Sequence, residues 1–120
     1  MQDVTDLIIY RNAINLVKPL QQLANLLPAD EFRLKGQLLD AGRSIPAHIA
    51  EGFAKRRSQA EFRRFLEMAI GSSDEAVTHI RVILISGFKN VKNETKNNKS
   101  VHFHKPKLAA MKEVTTHIFQ

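Results

Sequence analysis

The chain has 120 residues, 43% of them hydrophobic, and a formal net charge of +6, a size that fits one domain. It contains no cysteine and no tryptophan, which excludes disulfides, thiolate metal sites and cysteine nucleophiles. With one Tyr and seven Phe, the core falls mainly to Leu, Ile, Val, Ala and Phe, a composition that suits packed helices better than a β-sandwich.

Asp3 and Asp6 stand where a signal peptide needs a basic region before a continuous apolar core. No later run approaches the roughly 20 apolar residues of a membrane span. A soluble, cytoplasmic protein with no membrane association is expected. Ile9, Ala13, Leu16, Leu20, Leu23 and Leu27 recur at spacings of four and three, one face of a helix over residues 4–27. Tyr10, Ile14, Val17 and Ala24 widen that face, so the helix should meet more than one neighbour. Pro19 removes one intrahelical hydrogen bond and is expected to bend it, and Pro28 marks its end.

A second periodic set, Leu34, Leu38, Ala41, Ile45, Ile49 and Phe53, predicts a helix over 30–54 with Pro46 inside it. A helical proline crowds the carbonyl four residues back, here that of Gly42, where the missing side chain eases adjustment. One helix bent near 42–46 is expected, and two short helices with a break are the alternative. Ser58-Gln59-Ala60-Glu61 reads as a capping box, with Ser58 accepting from the Glu61 amide and Glu61 reaching back to the Ser58 amide. Behind it Phe62, Leu66, Ala69, Ser73, Ala76, Ile80 and Ile83 predict a third helix over 59–86, and Ile70, Val77 and Leu84 give it a second row. Small residues at 69, 73 and 76 would permit close helix approach.

After Gly87 the pattern weakens, and residues 88–105, polar and rich in Asn and Lys, read as a loop or frayed helix. Pro106 suits the first turn of a last helix over 106–119, with Leu108, Met111, Thr115 and Ile118 inward. No internal repeat or strand is evident. The expected architecture is all-α, a single antiparallel up-and-down four-helix bundle spanning 1–120.

Five of the ten positions from Lys55 to Arg64 are basic: Lys55, Arg56, Arg57, Arg63 and Arg64. The first three fall where the second helix should end, so they either complement its dipole and solvate a turn or contact phosphate, for which guanidinium geometry is suited. Phe53, Phe62 and Phe65 are better used as core than as stacking platforms. Any nucleic-acid contact should therefore be directed at the backbone. Lys89, Lys92, Lys96, Lys99, Lys105 and Lys107, opposed by Glu94, form a second basic region, either a solvated surface or an RNA-contacting tail. His102 and His104 share a face only in an extended segment and have no acidic neighbour, so no metal is expected. His48 and His79 fall in helical patterns. Ser44, His48 and Glu51 are spaced four and three apart, but nothing supplies an oxyanion site, and neither catalysis nor a cofactor is expected.

The run SIPAHIAEGF, followed by SQAEFRRFLEMAIGSSDEA, closely resembles a bacterial four-helix-bundle protein family. DLIIYRNAINLV resembles that family's opening helix. The family includes proteins encoded in intervening sequences of large-subunit ribosomal RNA genes, often labelled ribosomal-protein-like, and accessory variability proteins of diversity-generating retroelements. The family pattern usually has Asn where this chain has His48. The resemblance implies a ring-like homopentamer without enzymatic activity. It makes Lys55, Arg56, Arg57, Arg63 and Arg64 the candidates for contact with RNA or another nucleic acid. Ser44, Pro46, Ile49, Ala50, Glu51 and Gly52 match its signature as structural residues, with Glu51 at the helix terminus or at a subunit contact. Retroelement members bind a reverse transcriptase, so an adaptor that docks such an enzyme is the alternative expectation.

Overall fold

The computed structural model describes residues 3–97, and among these every regular element is helical. Three long helices, α1 (Ile8–Asn25), α2 (Phe32–Ala54) and α3 (Gln59–Ser86), are followed by a short α4 (Lys89–Asn97). α2 is the middle helix: it packs antiparallel on α1 by one side and on α3 by another, and α4 touches the end of α3. Residues 98–120, and with them the predicted helix over 106–119, lie outside the described residues.

Boundaries shift from the periodicity where short polar side chains hold the backbone. α1 begins at Ile8, because Asp3, Thr5 and Asp6 build a separate 3-10 turn over Val4–Asp6. In that turn the Asp3 carboxylate accepts from the Val4 amide at 2.8 Å and from the Thr5 hydroxyl at 2.6 Å, while the Asp3 amide donates to Asp6 at 3.2 Å. Such local bonds offer the chain an alternative to helix. Arg11 ties the turn to α1 by donating to the Thr5 carbonyl at 3.0 Å. A second 3-10 turn, Ala29–Glu31, follows Pro28, so α2 starts at Phe32. α2 runs unbroken through Pro46, and α1 through Pro19, which decides the second segment in favour of one helix. α3 ends at Gly87, whose φ of 73° and ψ of 33° are the left-handed geometry that glycine adopts without strain.

The core is one cluster. Ala13, Leu16, Leu20, Leu23 and Leu27 are buried from the α1 segment, Leu38, Ala41, Ile45 and Ile49 from α2, and Ala69, Ala76, Val77, Ile80 and Ile83 from α3. Ile9, Leu34 and Leu66, at the ends of the periodic runs, are half-buried. The segment read as a loop or frayed helix is helical over Lys89–Asn97, with Val91 buried in the core cluster and Phe88 packed against it. Two apolar residues three apart are enough to seat one face of an otherwise polar helix.

Two glycines set the interhelical distances. A Cβ on Gly42 would stand 2.5 Å from Cδ1 of Leu20 on α1, and one on Gly52 would stand 2.9 Å from the Phe65 Cβ and 3.3 Å from the Phe62 carbonyl on α3. Gly42 thus serves the α1–α2 contact, a role invisible in its relation to Pro46. Gly36 and Gly71 have nothing within 4 Å of such an atom.

Alanine substitutions should therefore separate in urea unfolding. Gly52→Ala is expected to destabilise by about 1–3 kcal/mol, because the obstructing atoms are backbone and Cβ and cannot rotate aside. Gly42→Ala should cost less, since the Leu20 side chain has some freedom to move. Gly71→Ala, exposed in the middle of α3, should stabilise by up to ~1 kcal/mol through helix propensity alone.

Candidate nucleic-acid interface

The turn between α2 and α3 brings the predicted basic residues together. The Lys55 amide donates to the carbonyls of Glu51 and Gly52, the Arg56 amide to Phe53, and the Ser58 amide to Lys55 at 3.0 Å. Ser58 then caps α3, its hydroxyl accepting from the Glu61 amide at 3.2 Å. The reciprocal half of the expected capping box is not made. The Ser58 amide is already satisfied by Lys55, and the Glu61 carboxylate turns instead to Arg64, whose Nε donates to it at 2.8 Å. Every residue from Ala54 to Ala60 is exposed.

The five cations differ in how they are held. Arg56 donates to the Phe53 carbonyl at 2.9 Å and lies 4.0 Å from the centroid of the Phe53 ring. Its guanidinium caps the α2 terminus, which is the dipole-complementing role among the two alternatives. Phe65, buried at the start of α3, carries two cations, the Lys55 ammonium at 4.8 Å and the Arg64 guanidinium at 4.5 Å. Arg64 is also the most neutralised of the five: besides Glu61, the charge of Glu51 bears on it. Arg63 stands 3.8 Å from Glu67 with both side chains largely exposed, a geometry that contributes little. Arg57 is exposed and has no acidic partner among the described residues. The ring seats of Lys55 and Arg64 escape sequence reading because they need the turn to fold. The Phe53–Arg56 pair, three residues apart across a helix end, carried a readable signal.

The signature residues lie on α2 just before this turn. The Ser44 hydroxyl donates to the Asp40 carbonyl at 2.6 Å, Pro46 is buried, Ile49 is fully buried, Ala50 is half-buried, and Gly52 receives Phe65. Glu51 is exposed and presents its charge to Arg64. No hydrogen bond among the described residues joins Ser44, His48 and Glu51. His79 meets Glu75 at 3.3 Å. Among the described residues no three His, Cys, Asp or Glu side chains are grouped as a metal ion needs, and none of the helices is long and apolar enough to cross a membrane. His102 and His104 lie outside the described residues.

The described part of the second basic region is far from the first. Its described side chains, Lys89 and Lys92, are exposed on α4, beyond the 28 residues of α3, which span roughly 42 Å. Lys99, Lys105 and Lys107 lie outside the described residues. Lys89 and Lys92 thus stand at the opposite end of α3 from the α2–α3 turn and cannot grip one phosphate together with its cations.

The sequence model of the 23S rRNA-intervening sequence protein family matches residues 5–110. No curated protein matches the chain.

The Arg64 hydrogen bond, more than the weaker field of Lys55, holds the Glu61 carboxyl below its ordinary value of 4.5. A carboxyl lowered in the folded state stabilises the fold above its unfolded value, and that contribution is lost as pH falls through the lowered folded value. In a carboxyl-carbon NMR titration Glu61 should have its midpoint below 4.5. Arg64→Gln should return that midpoint toward the ordinary range, while Arg57→Gln should leave it in place.

Proposed function

We propose that this chain, which belongs to the 23S rRNA-intervening sequence protein family, is a non-enzymatic helical-bundle protein that binds RNA through its basic end. One observation carries this: the exposed α2–α3 turn presents Arg57 without an acidic partner among the described residues, beside Arg56 and Lys55 seated on phenylalanine rings and Arg63 held only loosely by Glu67. Guanidinium groups in that state are ready to exchange water for phosphate oxygens. The family description names ribosomal RNA, and the net charge of +6 is of the sign that suits a polyanion. Ser44 spends its hydroxyl on a backbone carbonyl, which supports a structural role for it over a nucleophilic one.

Anisotropy titrations against structured RNA at several salt concentrations test this. Affinity should fall with salt, and Arg57→Ala and Arg63→Ala should each weaken binding to all sequences alike and reduce the salt slope by about 1. Arg64→Ala should change the slope less, because Glu61 already neutralises that charge. Absence of binding at low salt overturns the proposal.

The exposed apolar side chains favour a second activity, association with protein. Ile8, Phe32 and Ile85 are 64%, 69% and 86% exposed, apolar side chains that a protein partner could cover. We propose that the chain associates with copies of itself, in the ring of five that the resemblance implies, and that docking of a larger enzyme would use the same faces. Light scattering at micromolar concentration should give a mass several times the 13.6 kDa monomer, and a mass near the monomer overturns this.

A further inference from the structure

Resting on the RNA-binding reading, we infer that the basic end is built for double-helical RNA, gripped by its phosphates, and discriminates against single strands. Proteins that hold single-stranded nucleic acid stack successive bases on open aromatic faces, each worth about 1–3 kcal/mol. Among the described residues, the aromatic rings at this end of the molecule are already used. Phe53 and Phe65 are 7% and 5% exposed, and the faces they turn toward the turn are occupied by Arg56, Lys55 and Arg64 at 4.0, 4.8 and 4.5 Å. Phe62 is half-buried against Gly52, and Tyr10 is half-buried against the core. The exposed aromatic ring among the described residues is Phe32, at the opposite end of α2, roughly 33 Å along the helix axis from the turn.

With stacking removed, the charge density of the partner decides. Each phosphate neutralised releases counterions, with a salt slope of about 0.9 per contact for a duplex and about 0.7 for a single strand. The side chains available are Arg57, Arg63, the unbonded edge of Arg56, and Lys55. About three contacts of this kind would favour the duplex by about five-fold in affinity near 50 mM salt, and the preference would shrink as salt rises. Direct reading of bases is absent from this mode, since the major groove of an RNA duplex is too narrow for side chains.

The test uses the full chain with two short RNA duplexes of unrelated sequence and a single strand of equal length, from about 50 mM to about 200 mM salt. The expected result is a duplex preference of about five-fold at the lowest salt, near-equal affinity for the two duplexes, and a steeper slope for the duplexes. Phe32→Ala, whatever it does to self-association, should leave the ratio of duplex to single-strand affinity in place. Single-strand binding as tight as duplex binding, a large difference between the two duplexes, or a loss in Phe32→Ala confined to single-strand binding overturns the inference and leaves the RNA-binding reading standing. If no RNA binds at the lowest salt, that reading falls and the inference falls with it.

Discussion

The geometry of the basic end depends on the contact at Gly52. With no Cβ at that position, the first turn of α3 comes against α2 until the Phe65 Cβ and the Phe62 carbonyl fill the space a side chain would take. This fixes where Phe65 lies relative to the end of α2, and hence that Lys55 from one side of the turn and Arg64 from the other converge on the same ring. Gly42 does the equivalent for α1, where Leu20 occupies the missing side chain's place. α2, packed on two neighbours at two glycine contacts, is the element that both other long helices are measured from.

Charge in the turn is divided by the same geometry. Helix ends favour cations at the C-terminus and anions in the first turn. Arg56 on the Phe53 carbonyl and Glu61 at the start of α3 follow that rule. Glu61 also neutralises Arg64, so the residue that breaks the expected capping box gives the start of α3 an ion pair. Helix-end chemistry accounts for Arg56, and ion pairing for Arg64. Neither accounts for Arg57, which is exposed and has no acidic partner among the described residues.

The three long helices were legible because their cores repeat at helical spacing with few exceptions, from Leu16 and Leu20 through Ile45 and Ile49 to Ile80 and Ile83. The ends were less legible. Asp3 and Thr5 withdraw three residues from α1 through side-chain bonds that periodicity does not register, and Val91 anchors α4 by one buried contact in a polar segment. Gly42 was legible through Pro46 but not through α1: a relation to Pro46 can be counted along the chain, whereas contact with Leu20 exists only after α1 and α2 pack. The same holds for the candidate site. The positions of the basic residues were plain, while their division into held and unheld required the Phe65 ring and the Glu61 carboxylate to be placed in three dimensions.

Holding some cations while leaving others free has a consequence for binding. A long side chain ordered by a partner loses about 0.5–1.5 kcal/mol of rotamer freedom, and Arg56, Lys55 and Arg64 have already lost part of theirs to rings, a carbonyl and a carboxylate. Under the proposed binding their positions would be prepared in advance, while Arg57 and Arg63 would retain the freedom to adjust to the phosphates they meet. Yet Glu51, Glu61 and Glu67 stand among the five cations, so the field of one turn is modest. A single copy making few phosphate contacts would bind weakly and lose affinity quickly with salt. Under the self-association proposed above, several such turns on one assembly would act on one RNA at a high effective concentration, and avidity would supply what the single turn lacks. The modest charge of each end and the exposed apolar side chains elsewhere on the helices then belong to one design, in which assembly sets the affinity and the turn sets the chemistry.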